Sequence, residues 1–467
     1  MVFSTQFTLD QFAPIAVYQK LKSLYKDEVT FLFESASNSG GNYSIVIIGA
    51  RERLTYKDDS TYYTDKNAKQ SLIKESPFEF LKSYYAKLDQ EAYLKRSKEL
   101  GVGYIDGFIG FIGYDMVKVF EPVLKPYMQT LEDETHTPDM DLILPKNVLI
   151  YSHKDHKVTL LSAINTSQFD IIENALKSDY SYTPLVPMVG EDKGSFAFSK
   201  EKFFDMVDKS KEMILSGDVF QILMTNRFTR NIKVDPFSFY RILRTKNPSP
   251  YMYLMEYEDF SIVGSSPEVM VRLQEGELLL RPIAGTRKRG TTKERDRELE
   301  EELLADPKEC AEHLMLIDLG RNDVSRVAKT GSVKVLDMMH IEKYSHVMHI
   351  VTDVVAEIAD DKDMFDLFAA TFTAGTMTGA PKIRAMELIS EFEGLKRGFY
   401  SGSIGYFGFD GNMDTAITIR TSLVTPEKVI LQAGAGIVAD SLHELEYLEV
   451  HNKLGALMSS LDDLNPS

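Results

Sequence analysis

Short β-rich runs alternate with amphipathic helical segments along the whole chain, and this alternation limits the fold more than any other feature of the sequence. Tyr43 to Gly49, Gly107 to Tyr114 and Val148 to Ser152 read as strands among helical segments such as Pro77 to Lys87. Lys200 to Leu215 reads as an amphipathic helix after Ser199, stopped by Gly217 before a strand over Val219 to Arg230. Asp410-Gly411 separates Tyr400 to Phe409 from Asp414 to Val424, and a glycine that tolerates positive φ at that point predicts a hairpin. The expected class is α+β. Gly110-Phe-Ile-Gly-Tyr-Asp115 and Gly405-Tyr-Phe-Gly-Phe-Asp410 echo one another, either as related sheet elements or by coincidence. Turn-rich sequence between about Ile164 and Phe198 predicts a linker, with an N-terminal region over 1–165 and a second region over 195–460.

Such a fold must be held by its core. Cys310 is the only cysteine, and no Cys/His cluster has zinc spacing, so neither disulfides nor structural zinc can contribute. Hydrophobic residues make up 43% of the 467 and charged residues 26%, enough for a sizeable core and against wholesale disorder. A formal charge of -17 opposes nonspecific association with nucleic acid or anionic membranes, so neither is expected as a partner. No apolar run approaches the roughly 20 residues that span a bilayer. With no basic residue before Lys20, a secretory leader is not expected either, and a cytoplasmic location is. The complete absence of Trp beside 23 Tyr and 27 Phe has no packing explanation.

Two helices carry paired carboxylates. Asp306-Pro307-Lys308-Glu309 has an N-cap aspartate, a proline in the first turn and a glutamate three residues after the cap, with Gly320 expected to end the helix. Leu314 and Ile317 are expected on its core face, and Glu309 and Glu312, spaced i and i+3, on one side. Ser441-Leu-His-Glu444 predicts a second capped helix with Leu445, Leu448, Leu454 and Leu457 inward and Glu446 and Glu449 again spaced i and i+3. Spacing alone favours solvated faces of an acidic chain. If the helices faced each other, four converging carboxylates would need a hard cation such as magnesium or bound protons.

Other segments suit an anionic ligand. Thr373 to Pro381 is a small-residue loop before a helix that opens at Pro381, although Gly379 is followed by Ala380-Pro381 and not by the residues of a nucleotide-binding loop. Arg420, read on one strand face with Ala416, Thr418 and Ser422, would have room to grip a carboxylate, or is simply an exposed strand arginine. Gly434 and Gly436 allow close backbone approach or mark a bulge. Arg281 to Arg287, with Lys288 and Arg289, is locally basic. His346 and His349 share either one helical side or opposite strand faces. Glu268 sits beside a proline turn, where partial burial would raise its pKa towards general-acid use. Cys310, between Glu309 and Glu312, is a poor site for a thiolate, so thiol catalysis is not expected.

Pro282-Ile-Ala-Gly-Thr286, Glu312-His-Leu-Met-Leu-Ile-Asp318, Arg321-Asn-Asp323, Ala374-Gly-Thr376, Gly379-Ala-Pro-Lys382 and Gly434-Ala-Gly436 occur together and in order. With them the chain resembles the chorismate-utilising enzymes over nearly its whole length, most of all the anthranilate synthase component I group. The resemblance implies a large two-sheet, β-sandwich-like core with surrounding helices. It implies conversion of chorismate and ammonia to anthranilate and pyruvate, the first committed step of tryptophan biosynthesis. Residues 195–460 would bind chorismate, and residues 1–165 would be regulatory or structural. Glu312 and Glu449 are the implied Mg2+ ligands, with Glu309 and Glu446 acting through water. Glu268 is the implied general acid, His349 rather than His346 the active-site histidine and Thr376 a further catalytic residue. Gly285, Thr286, Tyr400, Arg420, Gly434, Ala435, Gly436 and Lys453 would bind substrate.

Ala284 stands where many aminodeoxychorismate synthases have a nucleophilic lysine, which favours direct attack by ammonia. Gln221 stands where isochorismate and salicylate synthases have a lysine base, which disfavours water as nucleophile. With no glutaminase segment, use of glutamine implies a separate amidotransferase subunit. Leu32-Phe-Glu-Ser35 with Tyr43-Ser44, and Asn247 to Met252, resemble the family's tryptophan-binding inhibitory site, with Ser35, Pro250, Tyr251 and Met252 as implied contacts. Phe33 and Asn42 depart from that pattern. Competing readings are an aminodeoxychorismate synthase component I and a tryptophan sensor without catalysis.

Overall fold

A computed structural model describes residues 2–35, 43–344 and 347–465; Asn42 and His346 lie outside the described residues. Its strands pair antiparallel in two sheets that share two long strands, Tyr43–Lys57 and Met140–Ser152. The first sheet continues from them through Thr30–Glu34, Tyr251–Glu256, Ser261–Ser266, Thr421–Val424 and Val429–Ile437 to Gln221–Arg230. The second continues through Gly107–Ile112, Ser403–Gly408, Met413–Ile417, Val269–Gln274 and Glu277–Leu280 to Val347–Glu357. The shared pair changes register between Ala50 and Glu52, and such a bulge bends the ribbon from one sheet into the other. This is the two-sheet α+β core that the sequence led us to expect.

Alternation along the strands explains the layers. Phe31, Ile47, Tyr253, Ile262 and Ile430 of the first sheet join Phe111, Ile404 and Met413 of the second in one apolar cluster. The neighbouring residues Leu32, Val46, Leu254, Val263 and Leu431 face helices Pro14–Leu24, Lys200–Leu215, Pro236–Lys246 and His443–Asp462. The two echoing hexapeptides are sheet neighbours, with Gly110 opposite Gly405. A Cβ on Gly405 would lie 2.1 Å from the Asp414 carbonyl oxygen, so the spacing of the strands requires glycine there. Strands from 1–165 pair directly with strands from 195–460, as Thr30–Glu34 does with Tyr251–Glu256.

Three sequence expectations change. The helix capped by Asp306 runs through Gly320 to Ser325, because continued intrahelical bonding outweighs the roughly 1 kcal/mol that an interior glycine costs. Leu314, Leu445 and Leu448 are 43%, 59% and 53% exposed, while His313, Leu316 and Val450 take the inward positions. Ser441 accepts a hydrogen bond from the Val438 N–H, and the last helix starts at His443 without a side-chain cap.

Candidate active site

Two chain segments cross between the sheets at the same place. Ser266 to Val269 passes from the first sheet to the second, and Ile417 to Thr421 returns. Backbone bonds from Ile417 N to Glu268 O (3.0 Å) and from Ser265 N to Arg420 O (3.1 Å) tie the crossings together. The expected continuous strand over 414–424 is therefore broken, and Arg420 sits at φ +52° in the break rather than on a strand face. The physical reason is the corner itself, since a strand that changes sheets must leave the extended conformation.

Glu268 is 8% exposed, and its Oε1 accepts the Thr376 hydroxyl proton at 3.2 Å. Burial pushes its pKa up to about 7 against the opposing effects of Thr376 and Lys453. Burial lowers the pKa of Arg420, and among the described residues no carboxylate lies within ion-pair distance of it. Arg420 Nη1 donates to the Lys453 carbonyl oxygen at 2.9 Å, while Lys453 Nζ reaches the Gly434 carbonyl oxygen at 2.8 Å and Glu449 at 2.7 Å. Tyr400 is buried, and its pKa is raised by burial with Arg397 acting against it. Gly434 and Gly436 lie in a regular ladder opposite Thr225 and Leu223, with Ala435 between them, and neither marks a bulge.

His349 lies on strand Val347–Glu357 opposite the irregular strand Ile283–Lys288. A register shift between Ala284 and Arg287 lifts Gly285 and Thr286 out of the ladder. The Gly285 carbonyl then lies 2.8 Å from His349 Nδ1 and the Thr286 hydroxyl 3.1 Å. A carbonyl can only accept, so Nδ1 carries the proton and Nε2 of the neutral ring is left as a base. Burial lowers the His349 pKa and favours that neutral form. Gly285 has φ +62°, and a Cβ there would lie 3.1 Å from Glu309 Oε2.

The four glutamates stand at the facing N-terminal turns of helices Pro307–Ser325 and His443–Asp462. Burial raises the Glu312 pKa, with the charges of Glu309 and Glu449 adding to the rise and Gln221 opposing it. Burial also raises Glu446, with Ser441 opposing and Glu449 adding. Among the described residues no three acidic or histidine side chains stand at metal-holding distance together. Instead Glu309 pairs with Arg287 at 3.2 Å and Glu449 with Lys453. An all-oxygen, mutually repelling set fits a hard divalent cation, which would relieve the repulsion felt at Glu312.

The three arginines of the basic stretch are already paired. Arg281 pairs with Glu342 and Asp353, Arg287 with Glu302, Asp306 and Glu309, and Arg289 with Asp296. In the loop after Thr373 the Thr376 side chain reaches Glu268, and the next helix begins at Lys382 with no side-chain cap. Behind it lies a group that the sequence reading missed. Fully buried Arg397 donates to the Met377 and Leu223 carbonyl oxygens, both at 2.8 Å, and pairs with Glu393 at 2.7 Å. Only its pairing with Glu393, four residues earlier, is local; the two carbonyls come from separate segments that the sequence does not join.

A cavity of about 540 Å³ opens between the sheets. Ser35, Pro250, Tyr251 and Met252 all line it. Tyr251 donates to Asp414 Oδ1 at 2.9 Å, whereas the Met252 side chain belongs to the apolar layer under the helices, leaving its backbone towards the cavity.

Residues 28–459 match the model of the chorismate binding enzyme family. The chain is 41% identical to anthranilate synthase component 1 of Aquifex aeolicus, over 98% of this chain and 94% of that one. It is also 41% identical to the protein of the same name from Acinetobacter calcoaceticus, over 97% and 93%. Among solved structures, anthranilate synthase component I of Streptococcus pneumoniae superposes with a TM-score of 0.77 at 32% identity, covering 97% of this chain and 99% of that one. The menaquinone-specific isochorismate synthase of Escherichia coli shares the fold, with a TM-score of 0.73 at 18% identity over 99% and 94%. With the matched family model spanning both sheets and every residue of the corner, the chain belongs to the chorismate binding enzymes.

Proposed function

We propose that this chain is the large component of an anthranilate synthase, turning chorismate and ammonia into anthranilate and pyruvate as the committing step of tryptophan synthesis. The observation that carries the reading is a half-buried Arg420 with no carboxylate at ion-pair distance among the described residues, at the same sheet crossing as a buried carboxyl whose pKa lies near 7. A cation partly withdrawn from water with no paired carboxylate among the described residues is arranged for an anionic substrate. Chorismate brings two carboxylates, and Arg420, the Gly434-Ala435-Gly436 backbone, Tyr400, Gly285, Thr286 and Lys453 are the groups that would bind and orient it.

Glu268, largely protonated below neutral pH, gives its proton to the C4 hydroxyl oxygen as ammonia bonds to C2 and water leaves. Thr376 holds the carboxyl in place. His349, neutral with Nε2 free, then takes the C2 proton as the C3–O bond breaks, which aromatises the ring and releases enolpyruvate to become pyruvate. Glu312 and Glu449 would hold Mg2+, with Glu309 and Glu446 one water further out. When bound, the ion supplies an anchor and charge neutralisation for a substrate carboxylate. Buried Ala284 offers no amine for a covalent route, which favours anthranilate over aminodeoxychorismate.

Residues 195–460 supply these groups, so we assign chorismate binding to that region and a regulatory role to residues 1–165, which share the inter-sheet cavity with it. A cavity that holds Ser35, Pro250, Tyr251 and the Met252 backbone suits tryptophan as inhibitor. Glutamine-dependent synthesis requires a separate amidotransferase subunit.

Purified chain with chorismate, Mg2+ and ammonium is expected to generate anthranilate fluorescence, and glutamine alone is not. A flat trace from folded protein would favour the sensor, and chromatography showing aminodeoxychorismate would redirect the assignment. Glu449→Gln removes one anionic ligand and is expected to raise the Mg2+ concentration for half-maximal rate by about 10- to 100-fold. An unchanged metal titration would take Glu449 out of the metal set.

A further inference from the structure

The inter-sheet cavity and the catalytic corner have a wall in common. Besides Ser35 and Pro250, the cavity lining includes Arg281, Glu342 and Tyr344. Glu342 lies directly opposite His349 in the pairing of Lys334–Lys343 with Val347–Glu357. The Tyr344 ring packs edge-on against the His349 ring with centroids 5.6 Å apart. Tyr344 Oη donates to Glu342 Oε2 at 2.8 Å, and Arg281 Nη1 donates to Glu342 Oε1 at 3.0 Å. Arg281 is itself fixed by Asp353, to which Nε and Nη2 donate at 2.6 and 3.0 Å. Both oxygens of Glu342 are thus engaged; one arginine and one tyrosine fix the carboxylate beside the imidazole, and His340 Nε2 stands 3.6 Å from Oε1.

We propose that Glu342 and Tyr344 are positioning residues for His349 and, as the shared wall, transmit occupancy of the inter-sheet cavity to the catalytic corner. The coupling half rests on the reading of that cavity as the inhibitor site. An occupant that displaces the Tyr344 ring or draws its hydroxyl from Glu342 alters the support of His349. By linkage, substrate binding at His349 alters the cavity to the same degree. Among the described residues the groups facing His349 are Glu342 and Tyr344 from this wall, the Gly285 carbonyl and Thr286 hydroxyl from the opposite strand, and Arg420 from the corner, with His340 behind Glu342 at 3.6 Å.

The test uses the full chain in the ammonia-dependent assay with L-tryptophan as probe. Tyr344→Phe removes only the bond to Glu342. Tryptophan affinity by calorimetry is expected to stay within about threefold, while the tryptophan-induced change in chorismate KM shrinks at least about fivefold, within the usual range of coupling energies. Glu342→Gln removes the charge that supports the imidazolium, so the acid limb of the kcat/KM profile is expected to move to lower pH, a shift that a purely structural role would not give. It also serves if Tyr344→Phe fails to fold. Folded variants with the wild-type pH profile and wild-type inhibition would overturn the proposal. If the wild-type chain turns over chorismate but binds no tryptophan, the cavity reading and the coupling fall together, and the pH profile of Glu342→Gln still decides the positioning role.

Discussion

Glu268→Gln is expected to lower kcat by about 100- to 10,000-fold, the usual contribution of a positioned general acid, while making the fold more stable above neutral pH. The amide keeps the shape and can still accept the Thr376 hydroxyl bond, but it has no proton to give. The stability change follows from where the proton sits. Below the ordinary carboxyl pKa of 4.5 both folded and unfolded chains are protonated; between 4.5 and about 7 only the folded chain keeps the proton. Stability therefore falls as pH rises through that window, by on the order of 3 kcal/mol once Glu268 ionises in place. Melting curves should show the variant above the wild type at pH 8 and the gap closing towards pH 5. The wild-type rate should fall on an alkaline limb near pH 7, as the acid form is lost. A variant with wild-type kcat, or with an equal melting temperature at both pH values, would contradict the assignment.

Arg420→Met is expected to lower kcat/KM by roughly 30- to 4,000-fold, equivalent to the loss of about 2 to 5 kcal/mol from one buried charged contact. Most of the loss should appear in KM for chorismate, because the guanidinium acts by holding a carboxylate. Methionine replaces the bulk without the charge and is unbranched, so it tolerates the left-handed backbone better than valine or isoleucine. Removing a cation that has no paired carboxylate among the described residues relieves its partial desolvation, and the melting temperature should not drop. A KM within twofold of wild type would separate Arg420 from the substrate. Together the two substitutions identify a corner whose charges cost stability and are offset by the surrounding two-sheet core.

Much of this corner was legible residue by residue. Glu268, His349, Arg420 and the four glutamates were named from the sequence, and the structure brings them to the sheet crossing and the adjoining helix ends. What misled the reading were local rules applied across a corner. Continuous alternation put Arg420 on a strand face, but the strand breaks there to change sheets. Local rules end a helix at Gly320 although it runs on to Ser325, and they turn Leu314, Leu445 and Leu448 inward on helices whose buried face is set by neighbours distant in sequence. The arginines of the basic run 281–289 read locally as available to an anion, but carboxylates from 296 to 353 pair with all three.

By itself the sequence determined the alternation of strands and helices, the capped start of the helix bearing Glu309 and Glu312, the hairpin at Asp410-Gly411 and the identity of the groups capable of chemistry, since each depends on residues a few positions apart. Only the tertiary structure decided which charges remain without partners among the described residues, which carboxyl is dry enough to keep its proton near neutrality, and that Tyr344 and Glu342 separate a cavity from His349. Those properties depend on burial and on approach between segments up to hundreds of residues apart, and desolvation acts through the packed fold rather than along the chain.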